Sequence, residues 1–73
     1  MPGTFGWDDA EEIGIRLLEK YPGTDPLSVR FTDLHKWVVG LDGFDGDAKL
    51  SSEGKLETIQ MAWLEEYREQ QGA

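Results

Sequence analysis

The sequence predicts a mainly α-helical domain of three helices, helix-turn-helix-like or winged-helix-like, with one or two very short strands. Three observations carry that prediction. Apolar residues recur with helical spacing in three separate stretches. Pro, Gly, Asp and Ser cluster between those stretches and mark short connections. Two brief extended pieces, Val29–Phe31 and Ala48–Leu50, are the only candidates for strands, and a two-stranded pairing between them would be marginal alone.

The first helix is predicted to begin after Trp7, with Asp8 as N-cap and Glu11 three residues on in the manner of a capping box. Ile13, Leu17 and Tyr21 form its inner face. Asp8, Asp9, Glu11 and Glu12 crowd its start while Arg16 and Lys20 fall later, an order that suits the helix dipole. Tyr21-Pro22-Gly23 ends it. Asp25-Pro26 then suits a short helical turn, with aspartate capping and proline in the first position.

Thr32 is the predicted cap of the second helix, and Asp33 favours its positive end. Leu34, Trp37, Val38 and Leu41 follow at i, i+3, i+4 and i+7, so they share one face. The next residues, Asp42-Gly43-Phe44-Asp45-Gly46-Asp47, break the helix and gather three carboxylates around one phenylalanine, which is expected to fix the loop to the core. Ser51 or Ser52 caps the third helix, expected to run to about Arg68. Leu56, Ile59, Ala62, Trp63 and Tyr67 form its stripe, widened by Met61 and Leu64. Trp37 and Trp63 are the expected core tryptophans. The chain therefore divides into a flexible 1–6, a single domain 7–68 and a frayed 69–73.

With 73 residues, the chain is short for a globular core, and a domain of that size buries only roughly 60–65% of its unfolded surface. It has no cysteine, which removes disulfides, thiolate metal sites and cysteine nucleophiles. Three tryptophans, three phenylalanines and two tyrosines must supply much of the burial instead. Fifteen acidic against seven basic residues leave a net charge of −8. Such a surface repels nucleic acid and anionic membranes and attracts basic protein patches or cations. No apolar run is long enough to span a bilayer and no signal pattern opens the chain, so the expectation is a cytoplasmic monomer that binds neither membrane nor nucleic acid.

Catalytic chemistry finds little to stand on. There is one histidine, no thiol and no phosphate-cradling glycine motif, so no enzyme is expected. His35 and Asp33 lie two residues apart and point to different sides of a helix, which makes them a poor ligand pair. His35 is expected to hydrogen-bond locally or to meet a partner, and Arg30 to pair with Asp33. The loop is not an EF-hand. Counting from Asp42 puts Phe44 and Gly46 at ligand positions three and five; counting from Asp45 puts Lys49 at five and Leu50 where glycine is required. Its carboxylates still suit a hard or borderline divalent ion at modest affinity.

Read as a whole, several strings resemble the IscX family of small acidic bacterial proteins associated with iron–sulfur cluster assembly. They are Trp7-Asp8-Asp9, Glu12-Ile13-Gly14, Tyr21-Pro22, Asp25-Pro26, the run from Val29 to Trp37, Leu41, Phe44-Asp45 and Ala62-Trp63-Leu64-Glu65-Glu66. The resemblance implies a modified winged-helix fold without enzymatic activity. It implies weak binding of Fe²⁺ through surface carboxylates: Asp8, Asp9, Glu11, Glu12, Asp42, Asp45 and Asp47. It also implies docking on the cysteine desulfurase, near the basic surface used by the bacterial frataxin homologue, with Arg30, Asp33, His35, Asp45 and Asp47 as contact candidates. The implied role is an iron-dependent adaptor or regulator, with an iron carrier or donor as the alternative. One departure stands out: Gly43 and Gly46 interrupt a loop that is denser in acid in the family pattern, which raises Asp8, Asp9, Glu11 and Glu12 to an equal partner surface.

Overall fold

The computed structural model describes residues 4–72; the expectations for residues 1–3 and 73 lie outside the described residues. Three helices form the body, α1 (Ala10–Lys20), α2 (Phe31–Val39) and α3 (Glu53–Gln70), with two 3-10 turns, Pro26–Ser28 and Ala48–Leu50, in the connections. The fold is therefore mainly α, as the sequence indicates.

The core is built from the predicted faces. Ile13 and Leu17 of α1, Leu34 and Val38 of α2, and Ile59 and Trp63 of α3 are fully enclosed, with Leu41, Leu56 and Leu64 beside them. The 3.6-residue repeat alone puts these side chains on one stripe per helix. A close crossing joins α1 to α3. A Cβ placed on Gly14 would lie 2.9 Å from the Trp63 backbone nitrogen, so glycine is what lets the two backbones meet. Asp8 reaches Lys55 at 2.6 Å near the starts of the two helices, and Gly14 meets Trp63 further along. The two helices thus run in the same direction. Trp37 is only half-buried, contrary to its expected core position: it stacks on Tyr21 with centroids 4.2 Å apart and presents its edge toward Trp63 at 6.2 Å. It roofs the core and does not fill it.

Neither expected strand forms. Phe31 is the first residue of α2, because Leu34 N–H already donates to the Arg30 carbonyl at 2.8 Å. Arg30, in extended backbone, is therefore the N-cap, and Thr32 lies inside the first turn without a capping bond. Strand propensity in Val29–Phe31 yields to burial of the helical face, as such short β-rich runs do without a pairing edge. Ala48–Leu50 is a 3-10 turn whose Lys49 N–H donates to Asp47 Oδ1 at 2.9 Å. The only bridge among the described residues is a parallel contact between Phe5 and Phe44. Phe5 N–H donates to the Gly43 carbonyl and Asp45 N–H donates to the Phe5 carbonyl. Phe5 is a core residue, so order begins before Trp7 and the loose N-terminus expected through Gly6 is corrected at that point.

Helix ends depart from expectation in small, explicable ways. Asp9, not Asp8, is the N-cap of α1: Ile13 N–H donates to its carbonyl, and its carboxylate turns back to accept from Gly6 N–H at 2.9 Å. No capping box closes, and Asp8 is left free for Lys55. Asp25 caps the Pro26 turn as expected, accepting from Leu27 N–H. Gln60 donates to the Pro26 carbonyl at 3.0 Å and ties that turn to α3. Ser52 caps α3 through Lys55 N–H at 3.2 Å, and the helix continues two residues past Arg68, to Gln70.

Candidate functional site

The first turn of α1 and the outer rows of α3 enclose an open groove of about 920 Å³. On the α1 side it is lined by Asp8, Asp9, Glu11 and Glu12, with Ile15 one turn beyond Glu11. On the α3 side Glu57, Met61 and Glu65 stand at i, i+4 and i+8, a single row along the helix, with Glu66 beside them. Every charged side chain lining the groove is acidic. Asp8 is engaged by Lys55 at the rim, and Glu12 by Arg16 at 2.6 Å. Both pairs are solvated enough to contribute little to stability.

Met61 is 51% exposed and Ile15 37% exposed. The expectation that Met61 widens the core stripe is thus corrected: its row faces away from α1's inner face and into the groove. Ile15, Glu57, Met61, Glu65 and Glu66 were absent from the sequence-derived site residues. The signal that exposes them is the i, i+4, i+8 register of acid, methionine and acid, which only becomes meaningful once α1 is seen to run beside it.

The acidic loop is a different environment. Trp7 Nε1–H donates to the Asp47 carbonyl at 2.7 Å, and Trp7 packs on Phe44 with ring centroids 4.9 Å apart. His35 stacks on Trp7 at 5.6 Å, and its Nε2 lies 2.9 Å from the Ala48 carbonyl. A carbonyl oxygen only accepts, so Nε2 carries the proton. His35 thus spans from α2 to the second 3-10 turn, a longer tie than the local bond expected of it. Phe44 fixes the loop as predicted, and Gly46 sits so close to it that a Cβ would come within 2.6 Å of the Phe44 ring and 2.8 Å of Trp7. Gly43 adopts φ +89°, a left-handed conformation that favours glycine.

The three loop carboxylates do not converge. Asp42 lies on the side of Arg16, Glu19 and Lys20. The Arg16 guanidinium is raised above its ordinary pKa first by its hydrogen bond to Glu12, with Glu19 and Asp42 adding smaller attractions. Asp47 caps the 3-10 turn, and Asp45 stands exposed between them. Among the described residues, no three His, Asp or Glu side chains gather in an arrangement able to hold a metal ion. The expected Arg30–Asp33 pair does not form either: the ion pairs among the described residues are Arg16–Glu12 and Lys55–Asp8. Arg30 and Asp33 are both exposed at the start of α2. No described helix is long and apolar enough to cross a membrane.

Fold and site together define a small acidic helical domain with a carboxylate-lined groove on one side and a latched acidic loop on another. Residues 5–68 match the family model described as iron-sulphur cluster assembly, and the chain belongs to that family, the IscX family its sequence resembles. A relative in Pseudomonas aeruginosa, itself described as an uncharacterised protein, is 50% identical over 60 residues, spanning 82% of this chain and 91% of that protein.

Proposed function

We propose that the protein is a non-catalytic acidic adaptor of iron–sulfur cluster assembly that docks on a basic surface of the cysteine desulfurase through its α1–α3 groove. The observation that supports this reading is the groove itself, where two parallel helices line one open face with seven carboxylates, two of them paired with a base at its edge. Negative charges gathered along one face make the potential of the groove strongly negative and draw in a cationic partner. The family assignment supports the process, and the groove supports this choice of surface.

Fe²⁺ enters this reading as cargo or effector held weakly. With no three acidic or histidine side chains converging among the described residues, an ion on this protein would keep water in most positions and take one or two carboxylate oxygens. Its affinity would fall as pH falls and the carboxylates protonate. The groove acids and Asp42, Asp45 and Asp47 are the oxygen ligands proposed for it.

A titration of isotope-labelled, metal-free protein with the desulfurase tests the reading. Resonances of Glu57, Met61, Glu65 and the first turn of α1 should shift, and the frataxin homologue should reverse the shifts. If metal-free protein does not bind and binding appears only with Fe²⁺ loaded, the carrier reading replaces the adaptor. Shifts confined to Arg30–His35 would move the docking face to α2.

A further inference from the structure

We propose that the groove receives a cationic amphipathic helix, seating an apolar side chain of that helix between Ile15 and Met61 while its basic residues meet the carboxylates one turn away on either side. This rests on the docking reading and gives the chemistry of the segment that docks. Two observations carry it. The groove is not uniformly polar: Met61, half exposed, lies between Glu57 and Glu65 in one row, and Ile15 follows Glu11 by one turn on the facing wall. A flat basic patch would satisfy the carboxylates and leave those two apolar side chains without a partner.

The spacing also selects a helix. Residues four apart on α3 rise about 6 Å, so the order acid, apolar, acid repeats at the interval at which a helix presents basic, apolar and basic side chains. An amphipathic helix laid along the groove would match both the charge and the step, the helix-in-groove mode of recognition. A second copy of this chain fits badly, because every charged lining residue is acidic and the whole chain carries −8.

Two helix-forming peptides of equal length and equal lysine content test the proposal against the full chain. One carries leucines along a single face; the other has serine at those positions. The leucine peptide should bind roughly tenfold tighter, the gain expected from covering part of two apolar side chains. Met61→Ser should abolish that preference and Met61→Leu should keep it, both with near wild-type melting because the side chain is exposed. Equal binding of the two peptides, or a preference that Met61→Ser leaves intact, overturns the proposal. The double reversal Glu57→Lys, Glu65→Lys separates the two levels of the argument. If both peptides bind equally and both weaken on reversal, the acidic docking surface stands and only the amphipathic occupant falls. If neither peptide responds to reversal, the docking reading falls as well. Sedimentation of the free protein should show a monomer at all concentrations; a dimer abolished by Met61→Ser would assign the apolar floor to a second copy and overturn the proposal.

Discussion

The two acidic regions of this domain carry similar residues and are built for different ends. In the loop after α2, Asp47 and Gly46 are drawn into the loop's own architecture, while Asp42 and Asp45 stay exposed. Asp47 caps a 3-10 turn, its carbonyl receives Trp7, and Gly46 is wedged against Phe44 and Trp7. In the α1–α3 groove, five of the seven carboxylates have no ion-pair partner within the described chain, and they flank two apolar side chains that the core leaves out. Acid density alone therefore does not mark a binding surface. What separates the regions is arrangement: the groove sets its carboxylates in line around two exposed apolar side chains, whereas the loop's three carboxylates do not converge and its phenylalanine packs on the core.

The largest effects should come from the core that supports both regions. Trp63→Ala removes a fully enclosed indole and should cost about 3–5 kcal/mol, against a total stability on the order of 5 kcal/mol for so small a domain. Both acidic regions should then lose their chemical-shift dispersion together. Trp37→Ala should cost clearly less, because its ring is only partly buried and rests on Tyr21. Equal losses in denaturant titration would return Trp37 to the core and remove the distinction between roof and filling.

Two glycines separate the regions next. Gly14→Ala pushes a Cβ to within 2.9 Å of the Trp63 backbone nitrogen, and Gly46→Ala pushes one to within 2.6 Å of a Phe44 ring carbon. Overpacking of this kind costs about 1–3 kcal/mol. A ring can turn aside where a helix backbone cannot, so Gly14→Ala should be the more damaging of the two, even after about 1 kcal/mol of gained helix propensity. Gly46→Ala should move the Trp7 indole resonance and leave groove resonances in place. A Gly46 variant that disturbs Glu57–Glu65 would couple the regions and break the comparison.

Most of the fold was legible in the sequence, the groove was not, and the illegible part has a physical cause. The core stripes of all three helices follow from 3.6-residue periodicity, and Leu34, Val38, Ile59 and Trp63 are buried as that rule requires. Asp25-Pro26 and Ser52 act as local rules say, since a cap needs only its own turn. Local rules misplaced Thr32 and Asp8 because the helices start directly after Arg30 and Asp9. That choice is made by how the helix docks. The strand expectation for Val29–Phe31 failed for the same reason. Phe5 was hidden because its value depends on Phe44, 39 positions away. The groove was hidden because three of its seven acids lie on α3, and nothing local says that α1 runs alongside. The resemblance to a known family identified the process without locating the surface.

Charge reversal tests the comparison directly. Glu57→Lys with Glu65→Lys, and Asp42→Lys with Asp45→Lys, each take the net charge from −8 to −4, so both lose the same share of long-range steering. Only the first pair also removes contacts in the proposed docking face. Affinity for the desulfurase should fall roughly tenfold for the groove pair and about two- to threefold for the loop pair at 0.1 M salt, where the Debye length is about 10 Å. The two variants should converge as salt rises and exposed pairs are screened. If the loop pair loses as much as the groove pair, steering alone explains the binding and the groove has no privileged role.

The smallest effect is the most specific to the claim that Asp47 is spent on the loop's own turn. Asp45→Ala and Asp47→Ala remove the same charge from neighbouring positions, so relief of repulsion in an acidic chain should be nearly equal for both. They differ in what the carboxylate touches. Asp47 Oδ1 accepts from Lys49 N–H at 2.9 Å, a capping bond whose loss costs about 1 kcal/mol. The Asp45 side chain accepts no hydrogen bond among the described residues, and its loss should stay within about 0.5 kcal/mol of zero. The measurable quantity is the difference between the two melting curves. A difference of about 1 kcal/mol in favour of Asp45→Ala would show that Asp47 is spent on the turn and that Asp45 is the loop carboxylate left to meet a cation. Indistinguishable curves would mean that the cap contributes nothing, that Asp47 is as free as any groove acid, and that the loop must be counted beside the groove as a binding surface.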